Sequence, residues 1–209
     1  MKSLPTPVPM AFGDEVDPST TEQEDLRTSN RQRTLCRVAR VRTDTDEGLV
    51  RVRNLSDEGI MLRLSLPVLL GEAMDIQLSE TVSVHGRVVW TDGPDCGVKL
   101  TQAIDSSALL RHLAEQGLSE EGRALRLPVS TKAVLSSEKG IRAVMVDDIS
   151  QRGMKIRHDG SFSPGLPVKI SLQSGLQRRG VVRWSQEGIA GILLLEPFSP
   201  EELGSAHRL

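Results

Sequence analysis

The chain has 209 residues and a formal net charge of −2, so no global basic field recruits nucleic acid or an anionic membrane surface. Hydrophobic residues make up 38% of the sequence and aromatic residues only 2%, so leucine, valine and isoleucine must form the core. No apolar run approaches the roughly 20 residues that a membrane-spanning helix needs. Two small β cores fit this composition better than one large core.

The first 26 residues differ in composition from the rest of the chain. They contain Pro5, Pro7, Pro9 and six acidic residues, with Lys2 as their one basic residue. This is the reverse of the pattern of a signal peptide. We therefore predict a disordered leader over residues 1–26 and a cytoplasmic protein.

Arginine is dense immediately after this leader. Six arginines fall within 16 residues that contain no acid: Arg27, Arg31, Arg33, Arg37, Arg40 and Arg42. Such a segment is a candidate site for an anionic ligand, although arginine-rich segments are often only solvated. The two cysteines, Cys36 and Cys96, lie in apolar stretches, and we expect buried free thiols, which suit a reducing compartment.

Short segments with alternating apolar residues follow. Residues 60–66, 74–78 and 82–90 show this period of two and are separated by Gly, Pro, Asp and Ser. The pattern predicts half-buried antiparallel strands, and several such strands within about 90 residues favour a small barrel or sandwich. Because Trp90 continues the alternation of Val84 and Val88, we expect its ring in the core, and the same for Trp184.

One stretch breaks the β pattern. Residues 105–117 begin with capping residues, end on Gly117 and carry apolar residues three and four positions apart, which predicts an amphipathic helix. Residues 199–202, Ser-Pro-Glu-Glu, predict the start of a second helical element near the end of the chain.

The two halves of the chain form a repeat with an offset of 94 residues. The segment from Asn54 to Gly59 aligns with that from Asp148 to Gly153, and Trp90 aligns with Trp184. Between residues 54 and 97 the alignment has ten identities without a gap, where chance gives roughly two or three. We therefore predict two tandem domains of the same fold.

The repeated turn and the arginines suit one kind of ligand. An arginine fork can donate two hydrogen bonds to guanine O6 and N7, or bind a phosphate. An Asn or Asp offers acceptors to the N–H edge of guanine, a Ser hydroxyl is adaptable, and a Gly allows the backbone to approach the ligand. Together they fit a phosphorylated guanine compound.

Both halves resemble the PilZ family. The family signature is Arg-x-x-x-Arg followed by [Asp/Asn]-x-Ser-x-x-Gly, and this chain has the second element as Asn54-x-Ser56-x-x-Gly59. The arginine element occurs as Arg27-x-x-x-Arg31, or alternatively as Arg33-x-x-x-Arg37. The Gly-x-Val-x-Trp strand that such domains usually show, and the Gly-Val pair that follows it, are present over residues 86–90 and 97–98.

The resemblance implies an all-β fold of two tandem six-stranded antiparallel barrels, each followed by a short helix. The predicted boundaries are residues 27–117 for the first domain and 118–209 for the second. The resemblance also implies that the protein is a bacterial receptor for cyclic di-GMP. In the family the arginines clasp guanine edges and phosphates, while the Asx and Ser residues hold a guanine.

The spacing of the repeat ranks the arginines. Arg126 lies 22 residues before Asp148, Arg31 lies 23 before Asn54, and Arg33 lies 21 before it. This spacing favours Arg27 and Arg31 with Arg33 third, and ranks Arg37 last. The predicted cyclic di-GMP site thus contains six residues: Arg27, Arg31, Arg33, Asn54, Ser56 and Gly59.

The second copy departs from the arginine pattern. Gly122 stands four residues before Arg126, and the nearest other arginine, Arg123, is only three residues away. We therefore predict a weaker second site with five residues: Arg123, Arg126, Asp148, Ser150 and Gly153.

Three other functions compete with this prediction. A ligand-independent adaptor that binds a partner protein is the main alternative, because the second copy is imperfect. Binding to a nucleic-acid polymer is disfavoured, since single-strand binders need aromatic platforms and the chain has five aromatic residues. An enzyme, a metal site and a cofactor are not expected, because the histidines are scattered and no nucleophile has a visible base.

Overall fold

The computed structural model describes residues 37–118 and 124–209. Outside these ranges lie the predicted leader of residues 1–26 and six of the residues discussed above: Arg27, Arg31, Arg33, Cys36, Gly122 and Arg123.

Six strands form the first barrel. They are β1 (Arg37–Arg42), β2 (Glu47–Leu55), β3 (Gly59–Arg63), β4 (Ala73–Gln77), β5 (Ser83–Asp92) and β6 (Asp95–Leu100). All neighbouring strands are antiparallel in the order β1-β2-β3-β6-β5-β4, and the barrel closes where β4 pairs with β1. The strands predicted from the alternating segments are therefore confirmed.

Six further strands repeat this arrangement in the second barrel. They are β7 (Leu127–Ser137), β8 (Gly140–Ser150), β9 (Gly153–Arg157), β10 (Pro167–Leu172), β11 (Gln177–Gln186) and β12 (Ile189–Leu194). The order is β10-β11-β12-β9-β8-β7, and β10 closes the barrel on β7. The prediction of two small antiparallel six-stranded barrels is confirmed.

Aliphatic residues fill both barrels. In the first, Leu62 and Ile76 are completely buried, and in the second Leu135 and Ile156 are. Cys96 also points into the first core, where burial raises the pKa of its thiol to about 11. A thiol with this pKa stays protonated and unreactive at neutral pH.

One α-helix follows the first barrel, α1 (Ser106–Leu118). Asp105 caps its N-terminus, where the carboxylate Oδ1 accepts a hydrogen bond of 2.8 Å from the Ala108 amide. Leu113 on the inner face of α1 is buried in the core of the first barrel. The helix lies within one residue of its predicted position.

The second barrel ends differently from the first. Ser199 and Glu202 form a reciprocal capping box, in which each backbone amide donates to the other side chain at 2.8 and 3.2 Å. This start produces only turns and a short 3-10 helix at Ala206–Arg208, instead of the predicted helical element. The chain is held in close contact with the first barrel at Gly204, where a Cβ would lie 2.5 Å from that of Ser65.

Residues 199–209, which we call the C-terminal segment, join the two barrels. The Leu49 amide of β2 donates to the Leu203 carbonyl at 2.8 Å, and Arg51 forms a two-pronged ion pair with Glu201 at 2.5 and 3.1 Å. Leu49 also packs into the core of the second barrel rather than the first. The contact is tightest at Gly48, where a Cβ would lie 2.1 Å from the Gly204 carbonyl oxygen.

In the described residues, no helix has both the length and the apolar character to cross a membrane.

Substituting Gly48 with alanine should therefore weaken the packing of the two barrels. The added methyl group meets backbone rather than a movable side chain, so we expect Gly48→Ala to lower the free energy of unfolding by about 1–3 kcal/mol. Urea denaturation followed by circular dichroism measures the change. An unfolding midpoint equal to that of the wild type would contradict this description of the contact.

Candidate functional site

A cavity of about 710 Å³ lies on the outer face of the first barrel. It extends from the turn between β2 and β3 across to β5 and β6, and its lining includes Asn54, Ser56, Met61, Trp90 and Lys99. Its volume is in the range of pockets that hold small organic ligands.

Two β-bulges turn the key side chains of this cavity outward. The pairing register shifts at Arg53 in β2 and at Val89 in β5, so each strand has one extra residue there. In a regular strand without a bulge, the period of two counted from the buried Val52 and Val88 would place Asn54 and Trp90 on the inner face. With the extra residue, both side chains lie on the outer face.

Four residues then form a continuous row across the outer face. Asn54 pairs with Met61, Met61 pairs with Gly97, and Gly97 pairs with Trp90. We call these four residues the tryptophan row. It places one amide side chain, one thioether and one indole along a line perpendicular to the strands.

The missing side chain of Gly97 allows Trp90 to lie against the barrel. A Cβ at Gly97 would lie 2.0 Å from the indole Nε1 and 2.4 Å from Cε2. Trp90 is 40% exposed, and Trp184, whose ring lies over Gly191 in the second barrel, is 44% exposed. The expectation that the tryptophans lie in the core is therefore wrong, because it took the alternation to continue through the bulges.

The hydroxyl of Ser56 closes the turn at one end of the cavity. It donates to the Gly59 carbonyl and accepts from the Gly59 amide, both at 3.1 Å. A Ser hydroxyl has a single donor, so Ser56 retains only an acceptor position for a ligand. Asn54 accepts from the Leu55 amide at 2.9 Å through Oδ1, which leaves the two N–H donors of its Nδ2 for a ligand.

Asp57 fixes the same turn to helix α1. Its Oδ1 accepts hydrogen bonds from the Ser106 amide at 3.0 Å and from the Ser106 hydroxyl at 2.6 Å. These two bonds lower the pKa of the Asp57 carboxyl below its ordinary value. The position of the turn therefore depends on the start of the helix that follows the barrel.

Arg37 has a structural position. It opens β1, and its guanidinium donates to the Leu113 carbonyl of α1 at 3.0 Å and to the Leu78 carbonyl at 3.4 Å. Partial burial lowers the pKa of Arg37. The remaining predicted clasp residues, Arg27, Arg31 and Arg33, lie outside the described residues.

The second barrel builds the same row with different chemistry. Asp148 pairs with Lys155, Lys155 with Gly191, and Gly191 with Trp184. The Asp148 carboxylate is already bound on both oxygens, by Arg126 through Nη1 and by Lys155 through Nζ at 3.3 Å.

The turn of the second barrel is also closed in the same way. Ser150 is 3% exposed and donates to the Gly153 carbonyl at 3.2 Å. Of the weaker site predicted in this half, the structure thus brings together Arg126 and Asp148 and places Ser150 and Gly153 in the turn beside them. Arg123 lies outside the described residues.

No cluster of three or more His, Cys, Asp or Glu side chains in residues 37–118 and 124–209 is arranged to hold a metal ion.

A comparison with protein families adds the decisive observation. The family described as PilZ domain matches the chain twice, over residues 25–116 and 120–201. The chain belongs to the PilZ domain family. Each of its two barrels is thus the core of one PilZ domain, and the tryptophan row lies on the outer face of the first.

Solved structures of other proteins resemble this tandem PilZ chain. The PlzA protein of Borreliella burgdorferi in complex with c-di-GMP matches with 11% identity and a TM-score of 0.40, covering 82% of this chain and 86% of that one. The Bacillus subtilis inhibitor of motility, MotI/DgrA, matches with 9% identity and a TM-score of 0.33, covering 81% and 93%. The K. pneumonia MrkH–c-di-GMP complex matches with 10% identity and a TM-score of 0.30, covering 78% and 80%. No curated protein matches the chain.

The link between Asp57 and helix α1 should depend on pH. Because the pKa of Asp57 is lower when folded than when unfolded, its contribution to stability is present above the unfolded pKa of about 3.9. It is lost as the pH falls through the lower folded pKa. We expect Asp57→Ala to be less stable than the wild type at pH 7 and the difference to shrink below pH of about 4. Urea denaturation of both proteins at pH 7 and below pH of about 4 measures the difference in their free energies of unfolding. A difference that is the same at both pH values would contradict a hydrogen-bonded, ionised Asp57.

Proposed function

We propose that this protein is a receptor for cyclic di-GMP whose main site is the cavity on the outer face of the first PilZ domain. The observation that carries the proposal is the contrast between the two rows. In the first domain, Asn54 and Trp90 line an open cavity, whereas in the second domain Asp148 is bound by two cations of its own chain. The PlzA and MrkH complexes, which contain c-di-GMP, are consistent with this ligand class.

The tryptophan row supplies what a guanine base needs. The exposed ring of Trp90 and the thioether of Met61 offer an apolar surface on which a purine can stack. The Asn54 amide donates hydrogen bonds to guanine acceptors, and the Ser56 hydroxyl accepts one. In this proposal Arg27 and Arg31, with Arg33 as a third candidate, bind guanine edges and phosphates from the segment before β1.

In this proposal the second domain either binds the same ligand weakly or has only a structural role. An incoming guanine would have to displace Arg126 or Lys155 from Asp148 before it could use the carboxylate. Breaking such a pair leaves charged groups that must be solvated again, which opposes binding. The Arg126 carbonyl also accepts a hydrogen bond of 2.9 Å from Arg40 of the first domain, so this residue helps to hold the domains together.

The output of the receptor is a change in domain packing that a partner protein detects. Strand β2 carries Asn54 near its C-terminal end and, three to five residues earlier, Leu49 and Arg51, which contact the C-terminal segment. A ligand that moves Asn54 therefore acts on the strand that holds the two domains together. We place this non-enzymatic receptor in the bacterial cytoplasm, and an effector protein is its partner.

A ligand-independent adaptor is the second candidate. The observation that favours it is the apolar outer face of the second domain, where Trp184, Leu193 and Leu195 are exposed. An adaptor would bind its partner equally well with and without cyclic di-GMP.

Isothermal titration with cyclic di-GMP tests the receptor. We expect the full-length protein to bind, and Arg31→Ala to bind about 5- to 150-fold more weakly, because it loses one bidentate contact worth about 1–3 kcal/mol. Arg111→Ala, which removes an exposed arginine from α1, is the control and should bind like the wild type. Absence of heat from a folded wild-type protein would reject the receptor in favour of the adaptor.

A further inference from the structure

A second row of outer-face residues runs beside the tryptophan row. Gly59 on β3 pairs with Lys99 on β6, and Lys99 pairs with Arg87 on β5. We call these three residues the lysine row. Lys99 is two residues along β6 from Gly97, so the two rows are about 6.6 Å apart.

Lys99 carries a positive charge that no carboxylate of the described residues neutralises. Its side chain is exposed and lines the cavity. Among residues 37–118 and 124–209, no carboxylate forms an ion pair with it within 4.0 Å, although Asp57 and Glu58 line the same cavity. Asp57 is instead bound to Ser106.

The neighbouring arginine is held in place by the fold. Arg87 donates through Nη1 to the Gly71 carbonyl at 2.9 Å, which ties it to the segment between β3 and β4. Lys99 forms no such hydrogen bond within the part of the chain that the structure describes. Opposite Lys99, Gly59 lines the cavity without a side chain, and a Cβ there would lie 3.2 Å from the Val98 carbonyl oxygen.

The second domain shows that the fold does not require this lysine. There, Gly153 pairs with Leu193, and Leu193 pairs with Val181. Leu193 takes the position of Lys99 with 41% of its surface exposed, on the same strand and beside the same closed turn. The lysine is therefore a feature of the first domain that the barrel fold itself does not require.

We propose that Lys99 binds a phosphate of the ligand and thereby sets its orientation in the cavity. This inference rests on the proposed function. The guanine lies on the tryptophan row, and the phosphate lies over the lysine row, where the ammonium supplies up to three N–H donors and a positive charge. A nucleotide holds its base and phosphate apart through the sugar and can span two adjacent rows.

The test replaces Lys99 with the residue of the second domain. Lys99→Leu and the wild type are titrated calorimetrically with cyclic di-GMP at about 50 mM and about 500 mM NaCl. We expect the dissociation constant of Lys99→Leu to be about tenfold higher at low salt. The difference should shrink at high salt, because ions screen the contact that the variant lacks. Lys99→Arg should retain most of the affinity.

Arg111→Leu is the matched control, since it removes one exposed positive charge from the same domain at α1. If Lys99→Leu binds like Arg111→Leu while the wild type binds, the inference is overturned and the proposed function stands. A loss of affinity that is equal at both salt concentrations also overturns it, because a neutral contact would then explain the loss. A wild-type protein that binds no cyclic di-GMP overturns the proposed function and this inference with it.

Discussion

The β-bulges at Arg53 and Val89 are the constraint on which the site depends. Each inserts one residue, and each thereby turns the next side chain from the core to the outer face. The outward indole of Trp90 then needs a neighbouring position without a side chain, which Gly97 provides. A barrel without the bulges would bury a tryptophan and an asparagine, and the asparagine would need buried partners. The cavity thus depends on strand irregularity as well as on the turn between β2 and β3.

The two domains share one barrel fold but carry different charges on their outer faces. In the first, the tryptophan row is neutral and the lysine row is cationic. In the second, Asp148 and Lys155 form an ion pair in the first row, and Leu193 makes the second row apolar. Because bulges, turns and glycines are common to both domains, these substitutions change the chemistry of the outer face without changing the fold. The C-terminal segment joins the domains through β2, the strand that also carries Asn54.

Much of the fold could be predicted from the sequence, because alternation within short strands and a repeat of 94 residues are properties of the residues themselves. The turn at Asn54, Ser56 and Gly59 was found through its motif, but the role of the Ser56 hydroxyl in closing it depends on contacts within the folded turn. The outward position of Trp90 was missed, because alternation cannot reveal a bulge. The sequence did contain one indication of it: each repeat has a tryptophan followed seven residues later by a glycine, as Trp90 and Gly97 and as Trp184 and Gly191. The sequence did not single out Lys99, because its place beside the tryptophan row follows only from the pairing of β6 with β3 and β5.

The fluorescence of the two tryptophans tests the central claim most directly, since the chain has one in each domain. Trp184→Phe leaves Trp90 as the sole indole, and Trp90→Phe leaves Trp184. On titration with cyclic di-GMP, the account predicts that Trp184→Phe keeps the full emission change of the wild type. It predicts that Trp90→Phe loses this change. A change that follows Trp184 and persists in Trp90→Phe would place the ligand on the second domain and contradict the account.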